Sequence, residues 1–184
     1  MSEKGFMSEK HHIEMEQATG VIWPARYSPN VAPVHVRNEI IIAAPPEVVW
    51  AWLIRATNWP TWYSNSQNVR QSDGIQLQDL ALGSVFRWKT FGVAICSTVR
   101  EFQPFNRLAW DAQGFGVDAY HAWVLTAHNE GCHVLTEETQ YGWGARLLDF
   151  LMPQRMWKGH ELWLSSLRDK SLQGKPLEYA LGQV

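Results

Sequence analysis

Val34-His35-Val36-Arg37-Asn38-Glu39-Ile40-Ile41-Ile42, followed at once by Ala43-Ala44-Pro45-Pro46-Glu47-Val48-Val49-Trp50-Ala51-Trp52-Leu53-Ile54, sets the start of the fold. Val34, Val36, Asn38, Ile40 and Ile42 alternate with His35, Arg37 and Glu39, the period of a strand with one buried face. Ala44-Pro45-Pro46-Glu47 then ends the strand and opens a helix. Proline's fixed φ suits a first helical turn, and its missing N–H has no partner to lose there. The helix is expected through Val48–Ile54, and a second turn capped by Asn58 through Trp59-Pro60-Thr61-Trp62-Tyr63.

Beyond this opening, Asp73-Gly74 and Leu82-Gly83-Ser84 mark turns, and short β-like runs follow at 85–91, 93–102, 107–112, 118–127 and 132–141. Phe91-Gly92, Pro104-Phe105-Asn106, Gln113-Gly114 and Asn129-Glu130-Gly131 separate them, the spacing of an antiparallel meander. The period then changes. Leu148, Met152, Met156, His160, Trp163 and Leu167 recur at three and four residues, which predicts a long C-terminal helix with one apolar stripe. Pro153 is expected to kink it, and Gly159 leaves room for close approach. Upstream, residues 1–33 read as an extended lead with Pro24, Pro29 and Pro33, pinned by Trp23 and Tyr27. The domain proper spans 34–172, and 173–184 form a tail.

At 184 residues the chain is long enough to bury roughly 70% of its unfolded surface in one domain. A net charge of −2 gives no electrostatic case for nucleic acid or an anionic membrane. No apolar run reaches the roughly 18 residues that span a bilayer, and Met1-Ser2-Glu3-Lys4 does not open a signal peptide, so cytoplasm is the expected compartment. Cys96 and Cys132 form neither a disulfide framework nor C-x-x-C; two buried thiols are expected. The eleven tryptophans suit either a filled core or a cavity walled by rigid flat side chains.

The element order predicts an α+β fold. A curved antiparallel sheet of six to seven strands is wrapped on a long C-terminal helix, with two short helices after the first strand. One helix does not fill the concave side of such a sheet, so side chains, water or a ligand must occupy the rest.

Ile40-x-Ile42-x-Ala44-Pro45-x-Glu47-x-Val49-Trp50 and Trp59-Pro60-x-Trp62 resemble the opening of the START-like (SRPBCC) superfamily. Gly83-x-x-Phe86-x-Trp88, Val99-x-Glu101-x-x-Pro104-x-x-Arg107-Leu108-Ala109-Trp110 and His121-x-Trp123 resemble its middle. Gly131-x-x-Val134-x-Thr136-Glu137-Glu138-x-x-x-Gly142 resembles its last hairpin. The resemblance covers residues 34 to about 172 and implies the helix-grip fold with a cavity between sheet and terminal helix. It implies a lipid-binding or polyketide cyclase/dehydrase-like branch without choosing one activity. The lead has no counterpart in that pattern, and is open to covering a cavity mouth or forming a homodimer contact.

If the hairpin loop is His128-Asn129-Glu130-Gly131, Leu125 faces Val134, Trp123 faces Thr136 and His121 faces Glu138. Leu125 and Val134 suit the inward face, so the period of two also turns His121 and Glu138 inward, within hydrogen-bonding reach. Such a pair beside an apolar cavity is a candidate general acid/base, or a buried clip that fixes register. Phe86, Trp88, Trp110 and Trp123 are candidate cavity wall. Thr136 joins them as the inward partner of Trp123, and Asn38 as an inward polar residue that needs a partner. On the terminal helix, Met152, Met156, His160 and Trp163 are expected to face the sheet.

Several motifs fail. His160-Glu161-Leu162-Trp163-Leu164 lacks the second histidine of a zinc-protease helix. His11-His12 would at most bind adventitious metal. Gly114-Phe115-Gly116-Val117-Asp118-Ala119 lies between strands, with no helix N-terminus for a pyrophosphate. No metal or cofactor is expected. Three functions remain: a carrier for a hydrophobic small molecule (lipid, isoprenoid or aromatic polyketide), a cyclase/dehydratase-like enzyme using His121 and Glu138, and an interaction module marked by exposed Trp59 and Trp62.

Overall fold

Alternation of buried and exposed residues makes Val34–Ile42 the first strand, β1. In a computed structural model, which describes residues 20–71 and 79–177, a helix follows (α1, Pro46–Leu53), then a 3-10 turn at Ala56–Thr61. Six further strands come next: β2 (Ser66–Gln71), β3 (Val85–Thr90), β4 (Val93–Gln103), β5 (Arg107–Gly114), β6 (Val117–His128) and β7 (Gly131–Tyr141). The seven form one antiparallel, curved and unclosed sheet in the order β1-β7-β6-β5-β4-β3-β2. The chain therefore leaves β1 at one edge, crosses through α1 to the other, and returns strand by strand until β7 pairs with β1. The fold is the α+β helix-grip arrangement that the sequence implies.

Tight turns set the meander. Phe91 and Gly92 both take positive φ (50° and 78°), the backbone of a two-residue hairpin turn whose twist matches its strands. Asn129-Glu130 closes β6 onto β7 with His128 opposite Gly131.

Several local expectations change. β2 escapes the sequence reading because Ser66-Gln67-Asn68-Val69-Arg70-Gln71 is polar, and its register shifts between Gln67 and Arg70 around Asn68 at φ 53°. β5 runs on to Gly114, which moves the next turn to Phe115-Gly116. Asn58 sits inside the 3-10 turn and caps nothing. The expected kink at Pro153 is a full break. It separates α2 (Trp143–Leu151) from α3 (Arg155–Ser171), because proline lacks the helical N–H and drives Met152 out of the α region, to φ −143° and ψ 65°. The Asp73-Gly74 turn, His11-His12 and tail residues 178–184 lie outside the described residues.

α3 packs into the concave face against β1 and α1. There Trp59, Trp88, Trp110, Trp123 and Trp163 join Phe86, Tyr63 and aliphatic neighbours in the main core. Trp59 is fully buried, with its indole N–H donating to Leu53 O at 3.0 Å, and Trp62 is half-buried. They therefore present no exposed aromatic pair. The convex face is covered too. Val21, Trp23 and Tyr27 pack on Ala109, Tyr120, Ala122, Val124 and Leu135, with Tyr27 and Tyr120 stacked at 5.4 Å. Val21, Trp23 and Tyr27 thus lie across the sheet from α3.

Two predictions follow from the turns and the thiols. A Cβ on Gly131 (φ 133°) would stand 2.1 Å from Ile42 O, a backbone atom, whereas Gly83 (φ 82°) has open space. Gly131→Ala is expected to cost about 3 kcal/mol and Gly83→Ala about 1 kcal/mol, measured by urea unfolding. Burial pushes the Cys132 thiol up to about 11, while Cys96 is only partly buried, contrary to the expected pair of buried thiols. An excess of iodoacetamide at neutral pH should alkylate Cys96 in the native protein and Cys132 only after denaturation.

Candidate active site

One row of side chains runs across the concave face. β-pairing aligns Val36, Glu138, His121, Trp110 and Val99 on β1, β7, β6, β5 and β4. α3 lays His160 on this row. His121 Nδ1 lies 3.1 Å from Glu138 Oε2, and His160 Nε2 lies 3.3 Å from the same oxygen. Gln140 Nε2 donates to Glu138 Oε1 at 2.6 Å. The second nitrogen of His121 meets Thr136 Oγ1 at 2.7 Å, while His160 Nδ1 is buried without a partner among the described residues.

These contacts fix the protonation pattern. Trp110, Trp123, Trp163 and His160 surround the His121 ring at centroid distances of 4.9–5.3 Å. Such burial pushes its pKa down to about 3; neighbouring His160 adds to this, and Glu138 opposes it. His121 is therefore a neutral imidazole, with Nε2 hydrogen-bonded to the Thr136 hydroxyl and Nδ1 lying 3.1 Å from the Glu138 carboxylate. Burial works against the charge on Glu138. The His121 imidazole beside it and the N–H groups of His160 and Gln140 outweigh that, and hold the carboxyl below its ordinary value. The result is a largely buried carboxylate held by two N–H donors, His160 Nε2 and Gln140 Nε2, with His121 Nδ1 close beside it and no lysine or arginine bonded to it among the described residues.

Beside this row the interior is hollow. In the neighbouring row, Ala112 and Ala119 are the small side chains that floor it, with Gln140 at its end. The cavity above it encloses about 60 Å³, and about 770 Å³ with the space that opens to solvent. Its wall is mostly apolar, with Trp88, Ile95, Trp110 and Trp163 among its members, and it includes His121, Glu138 and His160. Partly or largely exposed Phe91, Asp149, Met152 and Arg155 mark its opening.

The sequence-predicted residues divide accordingly. Trp88, Trp110, His121, Glu138, Met152, Met156, His160 and Trp163 line the cavity. Met152 does so from the break between α2 and α3, 43% exposed, and not from a continuous helical stripe. Asn38, Phe86, Trp123 and Thr136 do not line it. Asn38 Nδ2 is taken by Glu161 Oε1 (2.6 Å) at the β1–α3 contact. Phe86 packs on Trp59 and Trp110, Trp123 stacks on His121, and Thr136 is fully buried behind that imidazole.

Sequence reasoning missed Gln140 and the alanine floor. Extending the hairpin pairing by two residues places Ala119 opposite Gln140, and the β5–β6 pairing places Ala112 opposite Ala119. His160 joins Glu138 only through helix docking, which no strand pattern encodes. Thr136→Val should leave His121 Nε2 buried and unpaired, costing about 1–3 kcal/mol in denaturant unfolding with unchanged circular dichroism.

Comparison with known proteins agrees with this architecture. The family profile described as polyketide cyclase / dehydrase and lipid transport matches residues 33–170. No functionally curated protein matches the chain. Among solved structures, a hypothetical protein of Helicobacter pylori is 28% identical, with a TM-score of 0.76 over 82% of this chain and 95% of that one. A Thermus thermophilus protein is 21% identical, with a TM-score of 0.63 over 76% of this chain and 98% of that one. The Zhui aromatase/cyclase of a Streptomyces species is 13% identical, with a TM-score of 0.63 over 76% of this chain and 94% of that one; this likeness and the Thermus one speak to the fold alone. Among the described residues no helix is long and apolar enough to cross a membrane. With its profile match running from just before β1 to the end of α3, the chain belongs to the polyketide cyclase/dehydrase and lipid transport family.

Proposed function

We propose that the protein binds a small, largely apolar ketone in the cavity and acts on it as a cyclase/dehydratase-type enzyme, by proton transfer at an enolisable carbon. The observation that carries this reading is His160. It lines the cavity, its Nε2–H is held by Glu138, and its Nδ1 is buried with no partner. A base whose far nitrogen is oriented by a carboxylate is the arrangement general-base chemistry requires.

His121 is the less available of the two, since Thr136 holds its Nε2 and its Nδ1 lies against Glu138. In this reading His160 Nδ1 takes the proton from the carbon beside the carbonyl. The electron pair moves onto the carbonyl oxygen as an enolate, and Glu138 stabilises the imidazolium that forms. The family's description, polyketide cyclase / dehydrase and lipid transport, supports a polyketide-like substrate.

A cavity volume near 60 Å³ is small beside the roughly 300–1,000 Å³ of typical ligand pockets, which supports a small ketone, and not a whole lipid, as the bound molecule. A carrier of an apolar molecule is the second reading, favoured by the apolar wall and by Met152 and Met156, whose side chains adapt to irregular ligands.

Benzoylacetone incubated in deuterated buffer with EDTA tests the proposal, with exchange at the enolisable carbon followed by NMR. Wild type should accelerate exchange, and His160→Ala and Glu138→Gln should each lower the rate at least about 100-fold. Equal rates for His160→Ala and wild type would remove the base. A discrete apolar compound retained in native mass spectrometry, with no exchange above background, would favour the carrier.

A further inference from the structure

We propose that His121, Glu138 and His160 also form a binding site for a divalent transition-metal ion, with its open coordination position toward the cavity. The three side chains bring ligand atoms within 4.8 Å of one another. His121 Nδ1 and His160 Nε2 lie 3.1 and 3.3 Å from Glu138 Oε2. In a tetrahedral site with bonds of about 2.0–2.1 Å, neighbouring ligand atoms stand about 3.3–3.4 Å apart, so both histidine–glutamate spacings are already near the required value. Two imidazoles and one carboxylate are a borderline donor set, which suits Zn²⁺, Co²⁺ or Fe²⁺ over Mg²⁺ or Ca²⁺.

Three further features fit an ion. Glu138 is a buried carboxylate compensated only by N–H dipoles, so a dication at Oε2 would relieve the cost of burying its charge. The outer contacts are those a metal site needs: the Thr136 hydroxyl fixes the far nitrogen of His121, and Gln140 holds the second carboxylate oxygen. The cavity supplies both an entry path and a water-poor open position.

The imidazole rings of His121 and His160 lie nearly parallel, at 12°. Both lone pairs meet at one point only if a ring turns. The ring of His160 loses the fewer bonds in turning, because its Nδ1 holds none among the described residues whereas His121 Nε2 is bonded to Thr136. Bound metal replaces the N–H donors on Glu138, so an occupied site and the proton-transfer network are alternatives. The inference rests on the spacing of the donors and stands apart from the proton-transfer reading, which is tested in EDTA.

Full-length protein stripped with EDTA should take up one equivalent of Zn²⁺ in calorimetric titration. Glu138→Gln and His160→Gln should each weaken that binding at least about 10-fold. Co²⁺ should give the intense visible bands of a four- or five-coordinate site in wild type. A His11→Ala/His12→Ala variant should keep both signals. No saturable uptake, a pale six-coordinate Co²⁺ spectrum, or uptake lost with His11 and His12 but kept in the Glu138 and His160 variants would overturn the proposal. The Co²⁺ spectrum is read on wild type, so the test does not depend on a variant folding.

Discussion

Everything at the centre of this molecule depends on the pairing of β6 with β7. The Asn129-Glu130 turn sets His128 opposite Gly131, and every pair inward of it inherits that register, including Leu125 with Val134 and His121 with Glu138. Side chains alternate with a period of two, so a slip of one residue would send Glu138 to the convex face and Glu137 inward. Glu137 already has its place on the convex side, with His35 Nε2 at 3.0 Å and Arg37 Nε at 3.4 Å. Adjacent glutamates thus face opposite environments, and only one register satisfies both.

The concave interior is shared between filling and emptiness. Large aromatics, each worth roughly 150–250 Å² of burial, interlock around Trp59, Trp110 and Trp163 and close one part of it. Alanines at 112 and 119 leave the other part hollow, next to the single buried carboxylate of the concave wall. Tryptophan content therefore accounts for the rigidity of the site more than for the cavity itself. The indoles fix the His121 ring, and the small residues make the room.

The sheet's outer surfaces are managed as carefully. β6 is buried from Ala119 to Leu125 on both faces, because α3 covers one side and residues 21–27 the other. The edge strand β2 is short, polar and bulged at Asn68, features that discourage pairing with another chain. The same polarity hid it from a hydrophobic pattern search. At Pro153 a local rule was legible while its consequence was not, since the size of the distortion depends on what α2 and α3 each pack against.

The sequence by itself determined most of the element order, short of β2 and the break at Pro153, together with the turn positions of most hairpins and the inward pairing of His121 with Glu138. These rest on local chemistry: alternation, proline at a helix start, glycine at positive φ, and arithmetic across a tight turn. Tertiary structure decided what local chemistry does not encode. It brought His160 from α3 onto Glu138, and took Asn38 out of the cavity by giving it Glu161. It sealed Phe86, Trp123 and Thr136 behind the wall and put Val21, Trp23 and Tyr27 on the far face of the sheet. Each of these outcomes is set by how a helix or segment docks on a curved sheet. That docking is a sum of many long-range contacts, and no short stretch of sequence carries it.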